Sequence, residues 1–340
     1  MKISHNSSLK ELNTFKVDCI TKTHIVVENN NDFKDKEFLK YTNDTNPLFL
    51  GGGSNVLFTK NLTQPVVQIK TKGKEVKKEN DKFMIIKIEA GENWDDFVKW
   101  SIEHNLIGLQ NLAYIPGTVG ATPIQNVGAY GVETKDFLVE VSVINIKDGT
   151  EITLTNKECK FGYRDSIFKH ELKDSYIVKN ITLNLEKYNG HIDDKYLQYA
   201  GIKEMADNQN LSLNSLYKII ADIRKSKLPS IEKYGTCGST FKNPQLPIDE
   251  YERLKEQFPD LPMYSTEIEN IVKIPAAYIL EKLGWKNKRV GDVGTWIYHP
   301  LIVTNYGNAT GAEILSFIKD MQTDFKSKTN LDLETEINIV

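Results

Sequence analysis

The sequence predicts an α+β fold with a strand-rich front part and a smaller rear part in which helices and strands mix. Short apolar runs and alternating patterns dominate up to about residue 187, whereas helical spacing of apolar residues becomes frequent after it. The sequence holds no repeat, no low-complexity tract and no linker rich in proline, glycine or serine. The change in periodicity is therefore the guide to the domain boundary.

Strands are predicted where apolar residues alternate with polar ones or form short runs. The clearest strand is Ile177 to Leu185, in which Ile181 and Leu183 alternate with polar neighbours. Asp148-Gly149 lies between two apolar runs and indicates a hairpin. The other predicted strands are His24 to Val27, Leu48 to Leu50, Val66 to Ile69, Phe83 to Ile88, Val139 to Ile146 and Ile152 to Leu154.

Four amphipathic helices are predicted from apolar residues that share one face. The first follows Gly91, and the third runs from Pro275 to Leu283, with proline at its start and Gly284 after its end. Thr310-Gly-Ala-Glu313 is a capping box that opens the fourth. The residues expected to face inward are Trp94, Phe97, Val98, Ser101 and Ile102, then Leu216, Ile219, Ile220 and Ile223, then Ile314, Ile318, Met321 and Phe325.

Charge and cysteine content exclude several classes of protein. With 43 Lys plus Arg against 46 Asp plus Glu, the net charge is −3, so no global positive field attracts nucleic acid or an anionic membrane. The lysine-rich stretch from Lys70 to Lys82 also contains acidic residues and predicts a solvated hairpin. Three separated cysteines without a CxxC pair fit neither a disulfide framework nor a zinc site. No run approaches the roughly 18 apolar residues of a membrane helix, and we expect a cytoplasmic protein.

Leu48-Phe-Leu-Gly-Gly-Gly-Ser-Asn-Val-Leu57 is a short apolar strand that runs into three glycines and two small polar residues. Consecutive glycines let main-chain N–H groups approach an anion closely, and Ser54 and Asn55 add donors. The segment matches neither the GxGxxG fingerprint nor a Walker loop. It is consistent with a phosphate cradle or with a tight structural turn.

A second segment, from Ile115 to Gly131, reads IPGTVGATPIQNVGAYG and holds four glycines, two prolines and no charged residue. A solvated loop is normally more polar, and a strand does not tolerate this much glycine and proline. Small uncharged residues with a few amide donors suit a chain that wraps around a large flat ligand and its pyrophosphate. The structural alternative is a buried, glycine-packed crossover.

The two segments, in this order and some sixty residues apart, resemble the FAD-binding half of UDP-N-acetylenolpyruvoylglucosamine reductases, flavoenzymes of bacterial peptidoglycan precursor synthesis. The likeness spans nearly the whole chain in the right order. It also includes Leu12-Asn-Thr-Phe15, Phe161-Gly-Tyr-Arg-Asp-Ser-Ile-Phe-Lys169, Ser226-Lys-Leu-Pro229, Gly235-Thr-Cys-Gly-Ser-Thr-Phe-Lys-Asn-Pro244 and Glu334-Thr-Glu-Ile-Asn-Ile-Val340.

The resemblance implies a two-lobed FAD-binding domain of the vanillyl-alcohol-oxidase type at 1–187, with lobes at about 1–70 and 71–187. A substrate-covering loop region at 188–213 and a smaller α+β substrate-binding domain at 214–340 follow, and the C-terminal strand returns to the active site. FAD is expected to be non-covalent, because neither glycine-rich segment contains a His or Cys that could be attached to it. The residues carried over as cofactor-binding are Gly51, Gly52, Gly53, Ser54, Asn55, Pro116, Gly117, Thr118, Gly120, Ala121, Gln125, Asn126, Gly128, Ala129, Tyr130 and Gly131.

The implied reaction passes a hydride from NADPH to FAD and then to C3 of an enolpyruvyl ether, after which C2 must be protonated. Arg164 suits the substrate carboxylate, Glu336 suits the developing enolate if burial keeps it protonated, and Ser239 stands where the family carries its general acid. Each also has a structural interpretation: a surface ion pair, an outward strand residue and a local turn or cap, respectively.

The resemblance further assigns Tyr199, Lys227 and Asn243 to the UDP-sugar and its diphosphate, although Lys227 also suits a helix C-terminus as a cation. Thr240 replaces the aromatic residue that usually follows the proton donor. Tyr298-His-Pro-Leu301 stands where Gln-Ala-Leu is common, and either Tyr298 or His299 could replace the glutamine.

Cys237, two residues before the predicted proton donor, is expected to be a buried neutral thiol rather than a nucleophile. The predicted protein is thus an NADPH-dependent FAD reductase that acts by alternate binding of its two small-molecule substrates. A monomer is expected, without nucleic-acid or membrane partners. The alternatives are a UDP-sugar-binding flavoprotein without turnover and an FAD oxidase of the same fold with another substrate.

Overall fold

The structure, a computed structural model, describes residues 1–43, 45–198, 200–206 and 211–340. The helices are α1 Lys36–Asn43, α2 Trp94–Glu103, α3 Ala200–Ala206, α4 Leu213–Lys227, α5 Ile248–Gln257, α6 Ala276–Lys282 and α7 Gly311–Thr329. The strands are β1 Lys2–Ser8, β2 Ile20–Val27, β3 Leu48–Leu50, β4 Val56–Leu57, β5 Val66–Ile69, β6 Lys74–Glu79, β7 Phe83–Glu89, β8 Leu106–Ile107, β9 Gly128–Ala129, β10 Val132–Glu133, β11 Leu138–Asn145, β12 Glu151–Thr155, β13 Tyr176–Lys187, β14 Gly235–Thr236, β15 Gln245–Pro247, β16 Tyr264–Ser265, β17 Ile271–Lys273, β18 Arg289–Val290, β19 Val293–Trp296, β20 His299–Asn305 and β21 Asn338–Ile339.

The α+β prediction is confirmed, and the chain forms two compact units. The first unit comprises residues 1–7, 20–52 and 62–226, and the second comprises residues 8–19, 53–61 and 227–340. Two short excursions of the front part, 8–19 and 53–61, thus pack with the rear part of the sequence. The units describe packing, so the functional boundaries at 187 and 213 stay a prediction.

The first unit contains a sheet with the strand order β12-β11-β13-β7-β6 and another with the order β1-β2-β5-β3. The hairpin predicted at Asp148-Gly149 joins β11 to β12, and Gly149 takes a positive φ of 70° there. Strand β13 forms as predicted and pairs on both sides, with β7 and β11. Its burial alternates only from Leu183 to Glu186, because Asn180 and Thr182 are buried as well. The lysine-rich strand β6 is exposed at every residue and pairs with β7, so the predicted solvated hairpin is confirmed.

Helices α2 and α4 of the first unit bury the faces that the sequence predicts. Asn93 caps α2 by accepting a hydrogen bond from the Asp96 main-chain N–H at 3.0 Å. The buried residues are Trp94, Phe97, Val98, Ser101 and Ile102 in α2, and Leu213, Leu216, Ile219, Ile220, Ala221 and Ile223 in α4.

The second unit has sheets with the orders β14-β20-β19-β18 and β15-β17-β16, together with the parallel pair β21-β4. Both bonds of the predicted capping box at Thr310 form, and α7 buries the four apolar residues predicted for it. Helix α6 begins one residue after Pro275, which takes the N-cap position. Helix α5 and the short rear strands carried no periodic signal and were not predicted.

All three cysteines are free and buried, whereas the sequence predicts burial for Cys237 alone. The described residues include no helix long and apolar enough to span a bilayer. They also include no group of three or more His, Cys, Asp or Glu side chains that could hold a metal ion.

Candidate active site

The two glycine-rich segments touch each other in the first unit. A Cβ atom added to Gly51 would lie 2.5 Å from Thr118 Oγ1, and one added to Gly52 would lie 2.8 Å from Gly117 Cα. Gly52 has no room for a Cβ, because the atom it would meet belongs to the main chain, whereas the Thr118 hydroxyl beside Gly51 is a side-chain group that can rotate. This packing brings the end of β3 against the start of the second segment.

The same place carries unused main-chain donors. Among the described residues, the N–H groups of Gly52, Gly117 and Thr118 donate no hydrogen bond, while Val119 and Gly120 donate to Glu92 O and Ala90 O at 2.9 Å. Clustered N–H groups without an internal acceptor form a suitable environment for a phosphate. The arrangement therefore fits the diphosphate of a dinucleotide such as FAD.

Glycine has a packing reason at Gly120. A Cβ there would lie 2.5 Å from Ala90 Cβ, so this part of the segment matches the glycine-packed crossover that the sequence left open.

Asn126 also has a structural function. Its buried amide donates to Glu133 Oε2 at 2.7 Å and Gly162 O at 3.1 Å, and accepts from the Lys135 N–H. Both amide protons are thus used within the protein.

Arg164 lies against the end of the second segment. Its Nη2 donates to Gly128 O at 2.8 Å, and its backbone takes the left-handed φ of 54°. Tyr130 is left-handed as well, at 52°, which is uncommon for a non-glycine residue and typical of functional sites. Asp165, the neighbouring acid, pairs with His170 at 2.8 Å. The structure therefore brings Arg164 and the Gly128–Gly131 turn together in the first unit.

In the second unit, the C-terminal segment lies beside the segment that carries Ser239. The Glu336 N–H donates to Thr240 O at 2.8 Å, and Lys242 N–H donates to Glu334 O at 2.9 Å. Asn55 Nδ2 donates to Glu336 O at 3.3 Å. Asn55, Glu336 and the neighbour of Ser239 are thus held in one hydrogen-bonded group.

The residues of this group are half-buried or fully buried in the second unit. Ser239 and Glu336 are half-buried, so Glu336 is not a fully solvated outward residue. Thr240 is fully buried, and its hydroxyl accepts a hydrogen bond from Val303 N–H at 3.2 Å. Thr240 is therefore fixed by the core strand β20.

Cys237 is the predicted neutral thiol. Burial raises the pKa of Cys237 to about 12, and its Sγ donates to Val56 O at 3.3 Å. A thiolate nucleophile does not form there near neutral pH.

The proposed substrate residues differ in their environments. Lys227 is exposed at the C-terminal end of α4, and Asn243 Oδ1 accepts from Ala276 N–H at 3.1 Å, at the start of α6.

His299 is a neutral ring. Burial is the main cause that lowers its pKa, and the positive charge of Lys227 is the second. Because His299 Nδ1 accepts a hydrogen bond from Leu301 N–H at 3.3 Å, the neutral ring carries its proton on Nε2. Tyr298 is 60% exposed. Tyr199 lies outside the described residues.

Sequence reasoning missed two polar residues next to Tyr130. Arg224 Nε donates a hydrogen bond to Tyr114 O at 3.3 Å. Burial lowers the pKa of the Arg224 guanidinium, and a hydrogen bond with the Tyr130 side chain raises it in part. Asn111 is fully buried and contacts Tyr130 O. A signal was present for Asn111, because it and Gln110 interrupt the apolar run from Leu106 to Ala113.

Family models match both parts of the chain. The model of the UDP-N-acetylenolpyruvoylglucosamine reductase C-terminal domain matches residues 230–340, and that of an FAD binding domain matches residues 30–155. A UDP-N-acetylenolpyruvoylglucosamine reductase of Flavobacterium johnsoniae is 41% identical over 343 residues, covering 100% of both chains. The reductase of the same name from Pseudomonas aeruginosa is 34% identical, and the alignment covers 100% of this chain and 99% of the Pseudomonas protein.

A solved structure supports the fold. The UDP-N-acetylenolpyruvylglucosamine reductase of Thermus caldophilus superposes with a TM-score of 0.68 at 21% identity, covering 99% of this chain and 98% of its own. The likeness extends over both units, and the two-domain FAD-binding fold predicted from the sequence is confirmed.

Proposed function

This chain belongs to the UDP-N-acetylenolpyruvoylglucosamine reductase family, and from that membership we propose that it reduces UDP-N-acetylglucosamine-enolpyruvate to UDP-N-acetylmuramate with NADPH as hydride donor. The chain is an FAD-dependent oxidoreductase of peptidoglycan precursor synthesis. The hydride donor, the order of the half-reactions and the residue roles are the proposal.

FAD is held by the two glycine-rich segments in this proposal. The support is the close contact of Gly51 and Gly52 with Thr118 and Gly117, together with the unused N–H donors beside it. When bound, FAD supplies the two-electron carrier that takes a hydride from NADPH and delivers it to C3 of the enolpyruvyl group.

The chain's own residues manage the charge and the proton. Once C3 has received a hydride, C2 carries negative charge that spreads into the adjacent carboxylate. Arg164 binds this carboxylate, Glu336 donates a hydrogen bond to the developing enolate, and Ser239 transfers its hydroxyl proton to C2. The C=C bond is thereby reduced by one hydride and one proton.

One observation carries this assignment most directly. The main chain of Glu336 is bonded to Thr240 O and Asn55 Nδ2, so the residue that carries the proposed acid lies next to the segment of Ser239. Binding alone needs no proton donor, so an acid, a hydroxyl and a glycine-rich cofactor segment in this chain favour turnover over simple UDP-sugar binding.

Lys227, Asn243 and Tyr199 bind the UDP-sugar in this proposal. The cation of Lys227 suits a diphosphate, and Asn243 supplies an amide whose oxygen is already oriented by Ala276 N–H. His299, as a neutral ring with a proton on Nε2, suits the place of the usual glutamine better than the exposed Tyr298. A monomer and a cytoplasmic location remain predictions from the sequence.

An anaerobic absorbance titration tests the proposal. We expect a yellow protein that NADPH bleaches and UDP-N-acetylglucosamine-enolpyruvate restores. If NADPH bleaches the flavin and the enolpyruvyl substrate does not restore it, the substrate is wrong and an oxidase of another substrate is favoured. If FAD is bound but NADPH does not bleach it, the catalytically silent binding protein is favoured.

A further inference from the structure

A single buried amide joins two segments that are far apart in the sequence. Asn111 Nδ2 donates to Tyr130 O at 3.0 Å and to Tyr196 O at 3.1 Å, and its side chain has no solvent exposure. Asn111 lies in the 3-10 turn Leu109–Leu112, directly after β8. Both protons of one NH₂ group are therefore used to hold two main chains at a fixed separation.

A second amide orients the first. Gln110 Nε2 donates to Asn111 Oδ1 at 3.3 Å, and Gln110 Oε1 accepts from Gly108 N–H at 2.6 Å. Gln110 is also fully buried. A flipped Asn111 amide would place its oxygen against two carbonyl oxygens, so the network fixes a single orientation.

The two carbonyls belong to functionally distinct segments. Tyr130 is a left-handed residue at the end of the second glycine-rich segment, next to the Gly128 carbonyl that holds Arg164. Tyr196 ends the 3-10 turn Asp194–Tyr196 and is 5% exposed. It lies in the region at 188–213 that is predicted to cover the substrate.

Helix α4, which follows that region, is attached at the same place. Its Arg224 donates to Tyr114 O at 3.3 Å, and Tyr217 donates to Asp95 Oδ2 at 3.0 Å. Asp95 also accepts from Tyr114 N–H at 2.5 Å. Tyr196 is thus bonded to Asn111, and the helix that follows the region is bonded to Asp95 and Tyr114.

We propose that Asn111 is a positioning residue for the enolpyruvyl half-reaction, which holds the start of the substrate-covering region in register with Tyr130 of the cofactor segment. The inference rests on the proposed function, which assigns these two segments to substrate and FAD. Removing the amide removes both hydrogen bonds, of which the one to Tyr196 O is buried, and frees Tyr196 to shift relative to Tyr130. A shifted covering region makes weaker contacts with the substrate, so the KM of the enolpyruvyl substrate should rise.

The test compares Asn111→Leu with Asn156→Leu. Asn156 is a matched control, because its Nδ2 likewise bridges two main-chain carbonyls, Lys135 O at 2.7 Å and Leu138 O at 2.8 Å, without touching Tyr130 or Tyr196. Stopped-flow absorbance gives the rate of flavin reduction by NADPH and of reoxidation by the enolpyruvyl substrate. Hydrogen exchange of residues 192–198 reports the local release.

For Asn111→Leu we expect the KM of the enolpyruvyl substrate to rise about tenfold, with flavin reduction at saturating NADPH within about twofold of wild type. Exchange at 192–198 should rise in this variant alone. Asn156→Leu, at a half-buried position, should lose less thermal stability and keep wild-type kinetics. Asn111→Ser, which keeps one hydrogen-bond donor, should give an intermediate KM. This variant replaces Asn111→Leu in the test if the leucine variant does not fold.

Two failures are distinguishable. If wild type is not reoxidised by the enolpyruvyl substrate, the proposed function fails, and the exchange at 192–198 still decides whether Asn111 fixes Tyr196. If wild type turns over and Asn111→Leu behaves like Asn156→Leu in KM and exchange, the positioning role is wrong and the proposed function stands.

Discussion

Ser239 is the residue on which the proposed proton transfer depends. It lies half-buried between Gly238, with a φ of 73°, and the fully buried Thr240, so its position is set by a fixed turn. We expect Ser239→Ala to leave flavin reduction by NADPH unchanged and to slow reoxidation by the enolpyruvyl substrate by about 10²–10⁴, the usual contribution of a general acid. Single-turnover stopped-flow absorbance measures both steps.

Ser327→Ala is the control for the serine prediction. Ser327 is exposed on α7, where its hydroxyl donates to Asp324 O at 2.8 Å. It should keep both rates. Reoxidation that is equally fast in Ser239→Ala and wild type would remove Ser239 from the mechanism.

Buried thiols make the stability of the protein depend on alkaline pH. Burial raises the pKa of both Cys159 and Cys237 to about 12 from an ordinary value of 9.0. Between these values the unfolded chain loses thiol protons that the folded chain keeps. The free energy of unfolding is therefore undiminished below about pH 9 and falls as the pH rises toward 12, by up to about 1.4 kcal/mol per pH unit for each thiol.

Urea unfolding at a series of pH values from 8 to about 11 measures this dependence. The double variant Cys159→Ala, Cys237→Ala should be less stable at pH 8, because it leaves small cavities, and should lose less stability than wild type on the way to higher pH. Parallel curves for the two proteins would contradict the thiol assignment.

Some residue roles could be predicted from the sequence and others could not. The motif around Ser239 and the C-terminal motif around Glu336 mark both positions, and the structure brings the two segments together. Asn126, by contrast, lies in a segment whose composition is typical of a ligand-binding loop, but it donates both amide protons to Glu133 and Gly162. Hydrogen-bond partners that are distant in sequence decide such cases, and composition does not contain them.

At the scale of elements, the contact between the two glycine-rich segments is the feature that most constrains substitution. A Cβ at Gly52 would lie 2.8 Å from Gly117 Cα, and a backbone atom cannot move away as a side chain can. We expect Gly52→Ala to separate the segments and to raise the Kd for FAD at least about tenfold. Fluorescence titration of the apoprotein with FAD measures it.

Gly201→Ala is the matched control, because a Cβ there meets only Ile223 Cδ1 at 4.0 Å, inside helix α3. It should keep wild-type FAD affinity, and alanine in a helix should not reduce stability. If Gly52→Ala binds FAD as tightly as this control does, the segment contact does not shape the cofactor site.

The elements that the sequence predicts are those with a strong local pattern. Strand β13 alternates, α7 has its capping box, and α2 and α4 have apolar faces, so each is recognisable from its own residues. Strands such as β4 and β21 have two residues each and exist only because they pair with each other across the chain. No periodicity can develop over two residues, so their pairing could not be predicted.

The whole molecule shows a division that the linear pattern does not reveal. Residues 8–19 and 53–61 pack in the second unit although strand-rich sequence surrounds them. Cys237 Sγ donates to Val56 O, and a Cβ at Gly235 would lie 2.1 Å from Phe15 O, so these excursions are integral to that unit's core. Periodicity shows which face of an element is buried, but it does not show which other element covers that face. It could therefore indicate only a boundary near residue 187.

At the same scale, the proposed reaction makes a kinetic prediction. The nicotinamide and the enolpyruvyl group must each reach flavin N5, so we expect them to bind in turn and to give parallel initial-rate lines when NADPH is varied at several fixed concentrations of the enolpyruvyl substrate. Each half-reaction should then proceed alone, with reduction complete in the absence of the enolpyruvyl substrate.

The half-reaction control separates this mechanism from a ternary complex. Flavin reduced by NADPH and freed of nucleotide by gel filtration under anaerobic conditions should be reoxidised by the enolpyruvyl substrate at least as fast as the enzyme turns over. Because the cofactor is expected to be non-covalent, flavin should pass into the supernatant when the protein is precipitated with acid. Intersecting lines, or reoxidation that requires NADP⁺ to be present, would show that both substrates bind together, and alternate access to one flavin face would then be wrong.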